Sequence, residues 1–234
     1  MQSTFGRLTS PDSFRPMTVP NHPKIYHIVH VDKLASIVGE GLLSDSDMEQ
    51  RTDLGTTIGM SSIKRRRRED LQLSCHPGLF VGECVPFYFC PRSIMLYLIH
   101  RANHAELAYR GGQTPILHLE CDLRSAVQWA EANRKRWAFS LSNAGSYYCE
   151  HRTNLAHLGE LDWESIATTR WSGPGISGQV KEGKQAEFLI ENSFPWHLVE
   201  RIGMYSDNYA PQIARAMRGA NHRPPVEVRR DWYY

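Results

Sequence analysis

Glu187 stands in the stretch KQAEFLIENSFPW, residues 184–196, which reads as a strand ended by Pro195. Ala186, Phe188 and Ile190 share one side of it, Glu187, Leu189 and Glu191 the other. A carboxylate among aliphatic residues at the density of a central strand needs a partner or a task. The preceding SGPGISGQVKEGK is glycine-rich, so a segment able to close over a substrate leads directly into that carboxylate. Three other stretches could carry chemistry. IYHIVH puts His27 inside an early strand, where it either satisfies the core or donates a hydrogen bond to a ligand hydroxyl. IKRRRRED holds five consecutive cations, Lys64 to Arg68. These either form a solvated face or aim guanidinium forks at a pyrophosphate or a nucleic-acid backbone. VPFYFCPRS sets Phe87 and Phe89 on one side and Tyr88 on the other, as core or as a ring for stacking on a heteroaromatic ligand. Arg92 follows just inside the next helix, near an anion-friendly N-terminus.

The elements that position these residues follow from periodicity. A short strand, Ile25 to His30, precedes a helix with Asp32 as N-cap, a face of Leu34, Ile37 and Val38, and an end at Gly39 and Gly41. The polar SDSDMEQRTDLGTTIGMSSIKRRRRED is irregular, with the basic run in one helical turn or more. LFVGECVPFYF and PILHLECDL read as strands around a helix from Arg92 to about Ala108, whose face carries Met95, Leu96, Leu98 and Ile99. RSAVQWAEANRK is a helix, WAFSL a strand, LDWESIATTRW a short helix and SGPGISGQVKEGKQ a loop. WHLVERIGMYS and APQIARAMRGA close the chain as a strand and a helix. Strands and helices mix without regular βαβ spacing, so the expected class is α+β.

The length of 234 residues allows one large or two small domains, and a 41% hydrophobic content suits a packed core. No apolar run reaches the ~18–20 residues of a membrane span. The first residues, MQSTFGRLTSPDSFRPMTVPNHP, lack the apolar stretch of a secretory signal. Residues 1–23 are expected to form a flexible extension and 24–234 a single domain. Cys75, Cys84, Cys90, Cys121 and Cys149 are odd in number and lack CxxC pairing, which reads as reduced thiols without a disulfide framework or zinc site. The formal charge of +2 neither requires nor excludes a nucleic-acid partner.

Taken in chain order, a strand histidine, a central arginine, a strand tyrosine followed by a helix and a late glutamate behind a variable loop resemble the ADP-ribosyltransferase plan. More narrowly, IYHIVHVDKL, VPFYFCPRSIMLY, GGQTPILHL, LDWESI, KQAEFLIENSFPW and the terminal DWYY are similar to the DarT family, the DNA-targeting toxins of DarT–DarG toxin–antitoxin systems. The similarity covers about residues 24 to 234. It implies an ADP-ribosyltransferase-like α+β fold with a central split, mainly antiparallel β-sheet flanked by helices. It implies an enzyme of the pentosyltransferase class that uses NAD, without a metal, to ADP-ribosylate a base in single-stranded DNA, releasing nicotinamide and blocking replication. Thymidine is the favoured base; guanosine, or a protein or RNA acceptor, are the alternatives. The resemblance further implies a monomer in the bacterial cytoplasm and a macrodomain or other ADP-ribosyl-hydrolase antitoxin as partner.

The same resemblance assigns roles. Glu187 is the catalytic residue, His27 is expected at the NAD ribose and nicotinamide, and Tyr88 is expected to stack on nicotinamide. Ile28, Gly41 and Leu43 join them as cofactor contacts. The family's arginine falls by spacing on Arg67, catalytic and cofactor-binding, with Arg65, Arg66 and Arg68 one step away. Breaking the nicotinamide–ribose bond builds oxocarbenium-like charge that a buried carboxylate stabilises. The attacking base nitrogen must lose a proton. Arginine is always protonated and so a poor base, so Arg67 is expected to bind phosphate and stabilise the anionic base, and Glu187 is open as the proton acceptor. For DNA, Arg66, His151, Arg152, Arg170 and the tail RPPVEVRRDWYY offer cations. Tyr147, Tyr148, Trp163 and Trp171 offer flat surfaces for unstacked bases, with Trp171 and its neighbours expected at the target base.

Overall fold

Seven residues, Lys24–His30, form β1, and their side chains divide between two apolar layers: Ile25 and Val29 enter one, Tyr26 and Ile28 the other. In this computed structural model residues 18–51 and 55–234 are described. After β1 come α1 (Leu34–Glu40), β2 (Leu42–Leu43), α2 (Asp45–Glu49), α3 (Ser61–Glu69), β3 (Cys84–Tyr88) and α4 (Ile94–Arg101). Next are β4 (Ile116–Asp122), α5 (Leu123–Ala132), β5 (Trp137–Ser140), β6 (His151–Arg152), α6 (Trp163–Ala167) and α7 (Gly178–Gly183). The chain ends with β7 (Glu187–Glu191), β8 (Ser193–Phe194), β9 (Val199–Met204), α8 (Ala210–Ala216) and β10 (Val226–Val228). Among the described residues no helix is long and apolar enough to cross a membrane. Of the expected extension 1–23, residues 1–17 lie outside the described residues. Pro23 already belongs to the fold, its carbonyl accepting from the Leu123 amide at 3.0 Å.

The main sheet runs β10-β9-β4-β1-β3-β7-β5-β6, antiparallel except for β9 with β10. This is the expected α+β arrangement, and its centre is split. β1 pairs with β4 along its whole length and β3 with β7 from Cys84↔Glu191 to Tyr88↔Glu187, yet β1 and β3 meet only at Tyr26↔Tyr88. Pro86 explains the parting. Its carbonyl points to β1, where His27 Nδ1 donates to it at 2.8 Å. The backbone nitrogen of a strand residue faces the same edge as its carbonyl, and in proline that nitrogen has no hydrogen to give. The two strands therefore separate beyond Tyr26 and Tyr88, leaving a cleft.

Several element limits differ from the pattern-based reading, each for a local reason. The helix expected from Arg92 starts at Ile94, because Ser93 Oγ caps it by accepting from the Leu96 amide at 3.2 Å, and it ends in left-handed Ala102. Asp32 does not cap α1. Its carboxylate instead accepts from Thr56 N and Oγ1, at 3.0 and 2.6 Å. The segment read as one loop before Glu187 contains α7, capped by Ser177, whose Oγ accepts from the Gln179 amide. Polar residues read as irregular include α2, capped by Ser44. LFVG is not a continuous strand: Phe80 bridges Gln72, Val81–Glu83 form a 3-10 turn, and Gly82 within that turn decides where α3 lies. A Cβ there would sit 2.4 Å from Arg68 Cγ and 2.8 Å from its backbone N and Cα, so only glycine lets α3 rest on this turn.

Two buried histidines give the fold a pH dependence. His118, fully buried against Trp232 and Tyr233, and His151 are each pushed down to about 4, chiefly by burial. Between pH 6.5 and about 4 the unfolded chain binds protons that these rings refuse, so stability falls as pH falls through that window. At pH 5 His118 contributes a loss of about 2 kcal/mol. The melting temperature is expected to drop between pH 7.5 and pH 5, and to drop less in His118→Gln; an equal drop would show that His118 titrates normally. Urea unfolding checks the α3 contact. Gly82→Ala is expected to lose about 1–3 kcal/mol by overpacking. Gly39→Ala, where nothing lies within 4 Å in helix α1, should be neutral or gain about 0.5–1 kcal/mol.

Candidate functional site

α3 brings Arg67 to the first residue of β7. Its Nη1 and Nη2 donate to Glu187 Oε1 and Oε2 at 3.1 and 2.7 Å, a two-pronged contact whose side chains are 11% and 6% exposed. Burial alone would weaken the Arg67 charge, but the charge and hydrogen bonds of Glu187 outweigh it and raise the pKa further, so the guanidinium stays protonated. The backbone of Glu187 is fixed as well, its amide donating to Ser140 Oγ at 2.8 Å. Two prongs use two of the roughly four acceptor positions of a carboxylate, which leaves the others for a ligand. Glu187 thus has a partner in the fold and retains capacity for a second one.

Tyr88 lies directly across from Glu187 in the β3–β7 register. Burial and the neighbouring carboxylate both push its phenol upward, so it is a neutral hydroxyl and a ring. On β1, burial lowers the pKa of His27. The Pro86 carbonyl can only accept, which places the ring's proton on Nδ1 and leaves Nε2 bare. The expectation that His27 acts as a donor toward a ligand is therefore corrected: its donor is used by Pro86, and the nitrogen left over is an acceptor.

His27, Arg67 and Tyr88 share a cleft. A cavity of about 210 Å³ is lined by His27, Ile28, Gly41, Leu43, Arg67 and Tyr88; Glu187 is not in its lining and meets it through Arg67. Gly41 has φ +87, and a Cβ on it would lie 2.5 Å from the Phe194 carbonyl oxygen. Glycine is needed for the chain to pass here. Sequence reasoning missed Lys33, Met48, Thr56, Thr57, Met60 and Met95, which also line the cavity. No local signal marks them, because they come from separate turns and helices. The donor set fits a dinucleotide: a bare imidazole nitrogen for a sugar hydroxyl, a phenol ring beside aliphatic walls for a flat heterocycle, and cations for phosphates. Among the described residues no three His, Cys, Asp or Glu side chains gather as a metal site, and the five cysteines are unpaired.

The residues expected to meet DNA divide. Arg66 donates to the Gly145 carbonyl at 2.5 Å and lies 6.0 Å from the Tyr147 ring, while Tyr147 and Tyr148 are 67% and 95% exposed. This cluster stands next to Arg67 and is open to solvent. Arg170 is exposed, and its guanidinium donates to the Pro174 carbonyl at 3.4 Å. Arg152 is committed to Glu150 and Glu160, at 2.9 and 2.7 Å. Trp171, expected at the target base, is instead 6% exposed, with its indole N–H on the Tyr234 hydroxyl at 3.1 Å and its edge toward Tyr97. It anchors the start of the loop; its face is not available to a base in this arrangement. Trp163 and His151 are likewise buried.

A model of the DarT family, described as ssDNA thymidine ADP-ribosyltransferase, matches residues 26–234. A DNA ADP-ribosyl transferase of Thermus sp. (strain 2.9) is 35% identical over 222 residues, covering 93% of this chain and 99% of that protein. One of Thermus aquaticus is 38% identical over 212 residues, covering 90% and 88%. Among solved structures, Thermus sp. 2.9 DarT in complex with ADP-ribosylated ssDNA superposes with a TM-score of 0.82 at 34% identity, covering 94% of this chain and 100% of that one. The same Thermus protein in complex with NAD+ gives 0.76 at 32% identity, covering 93% and 100%. The chain therefore belongs to the DarT family of ssDNA thymidine ADP-ribosyltransferases and is an NAD-dependent DNA ADP-ribosyltransferase.

Proposed function

We propose that this chain transfers ADP-ribose from NAD to the ring nitrogen N3 of thymidine in single-stranded DNA, with Glu187 and Arg67 as its catalytic pair. The observation that carries the reading is the buried two-pronged Arg67–Glu187 contact beside a cleft lined by His27 and Tyr88. NAD supplies an electrophilic ribose carbon and a nicotinamide leaving group. His27 Nε2 accepts from a ribose hydroxyl, the Tyr88 ring packs on the nicotinamide, and Ile28, Gly41 and Leu43 shape the wall. Glu187 faces the positive charge that builds on the ribose as the glycosidic bond breaks, and its free acceptor positions hold the sugar hydroxyls.

Thymine has one ring N–H, at N3, and that proton must leave as the new N–C bond forms. Arg67 is held protonated by Glu187, so it does not take the proton; it stabilises the negative charge on the base. Glu187 takes the proton. A base stacked in a duplex cannot reach a buried carboxylate, which suits a single strand. Arg66, Tyr147 and Tyr148 form the exposed approach, with Arg170 on the acceptor loop. We further propose that residues 24–234 act as one domain and one monomer in the bacterial cytoplasm. The modification blocks replication, and a macrodomain or other ADP-ribosyl-hydrolase antitoxin reverses it, a pairing supported by family membership.

Four single-stranded oligonucleotides, each lacking one base, incubated with NAD and weighed by mass spectrometry, test the base. A gain of one ADP-ribose wherever thymine is present is expected; a gain that follows guanine overturns the assignment, and no gain on any strand overturns the reaction. Glu187→Gln keeps one acceptor for Arg67, its amide oxygen, and turns an amide donor toward the other guanidinium nitrogen; it should lose some stability, and on the folded protein transfer should fall about 10²–10³-fold. Arg67→Ala strands a buried carboxylate and should lose stability, by about 3–5 kcal/mol, as well as activity. An Arg67→Ala protein as stable as the parent would show that the pair is not buried as described.

A further inference from the structure

Arg92 plays no part in the cleft, yet its guanidinium is unusual. Among the described residues it makes no hydrogen bond or ion pair, and its Nε is buried without a partner. Its contact is the Tyr234 ring, 4.5 Å from the guanidinium carbon to the ring centroid. Stacking of this kind fixes the guanidinium plane and leaves its N–H edges unspent. The ring is itself held, because the Tyr234 hydroxyl donates to the Arg92 carbonyl at 2.9 Å and accepts from Trp171 Nε1 at 3.1 Å. The oriented fork is therefore coupled to the start of the loop that leads to Glu187.

Arg92 lines a second cavity of about 420 Å³, formed beyond the ends of β3 and β7 that carry Tyr88 and Glu187. The other charged groups facing it are already engaged. Lys24 is held by Asp122 and Glu200, at 3.2 and 2.7 Å. Lys184 donates to the Ile166 and Thr168 carbonyls at 3.0 and 2.7 Å. Asp231 is held by Arg229 at 2.8 Å. Thr168 and Thr169, just ahead of the loop that precedes Glu187, complete the wall next to Arg92. What this cavity offers a ligand is a pre-oriented, unspent guanidinium fork among charged groups that are already engaged, which is the chemistry of a phosphodiester site.

We propose that Arg92, stacked on Tyr234, binds the phosphodiester of a nucleotide adjacent to the modified base. The proposal rests on the DNA ADP-ribosyltransferase reading of the main site. NAD carries phosphates of the same chemistry, but its contacts gather in the first cleft. A strand that delivers a base to Glu187 must pass the ends of β3 and β7, where this cavity opens.

The test uses the full chain and thymidine-containing single strands in which each phosphodiester in turn is replaced by a neutral methylphosphonate. With the parent protein, one position flanking the target is expected to weaken binding about tenfold by fluorescence anisotropy. Arg92→Gln should bind the unmodified strand about tenfold more weakly, lose that positional sensitivity, and show a log affinity against log salt slope smaller by about 0.7. The KM for NAD should stay within twofold. Arg92→Lys, which keeps the charge without the two-pronged fork, should keep the salt slope and a reduced positional sensitivity. A flat profile with the parent protein, or the parent's profile and slope retained in Arg92→Gln, overturns the subsite. A raised KM for NAD with DNA binding unchanged assigns the phosphate to NAD and also overturns it. Absence of any modified strand with the parent protein would instead bring down the functional reading, which failure of the Arg92 prediction alone leaves standing.

Discussion

The buried pair between Arg67 and Glu187 is the constraint around which the site is arranged. Removing two charges from water is expensive, and such pairs often stabilise a fold no better than apolar residues of the same size. Here the contact ties helix α3 to strand β7 across a sequence separation of 120 residues. Its retention in that position makes sense as pre-organisation. A carboxylate oriented before substrate arrives need not be reoriented as charge develops. The same contact decides the division of labour, because a guanidinium held protonated by Glu187 can stabilise an anion and cannot serve as a base.

Everything upstream of that pair concerns placement. Gly82 lets α3 lie against the turn before β3, and Ser140 holds the Glu187 amide at the mouth of β7. Pro86 withholds a hydrogen-bond donor from β1, so the sheet opens where His27 and Tyr88 face the gap. His27 then bridges the opening with one ring nitrogen and presents the other. One missing hydrogen on one backbone nitrogen thus creates the cleft and also fixes the imidazole tautomer within it.

The acceptor side is governed by a different set of contacts. Lys184, 3% exposed, binds the Ile166 and Thr168 carbonyls and so staples the two ends of the loop that precedes Glu187. At the other end of the molecule's chain, Tyr234 is held through its backbone by Gln113 and through its hydroxyl by Arg92 and Trp171. The loop is anchored at its neck and first residues, while 172–175 and 177–179 stay exposed. A fixed neck with an exposed tip lets the tip vary in sequence, and so in what it reads, without moving the catalytic carboxylate.

Much of this was legible in the sequence. The alternation around Glu187 is borne out: Ala186, Phe188 and Ile190 enter one apolar layer and Leu189 the opposite one. The spacing that singled out Arg67 among neighbouring arginines agrees with the side chain that reaches Glu187, since successive helical residues point about 100° apart and only one of them can face β7. Period and residue type are local properties, and a single strand of text carries them. Burial and hydrogen-bond direction are not local. Trp171 looked like an exposed platform until Tyr234 and Tyr97 covered it, and His27 looked like a donor to a ligand until the Pro86 carbonyl engaged its N–H. Arg92 gave the reverse case, a cation that sequence could only place near a helix start. Whether a polar group is spent or free depends on partners far away in sequence, as with His27 and Trp171, separated by 59 and 63 residues from the groups that hold them. The sequence by itself determined which residues could do the chemistry; the tertiary structure decided which of their atoms remained available, because availability is what is left after the fold has satisfied its own polar groups.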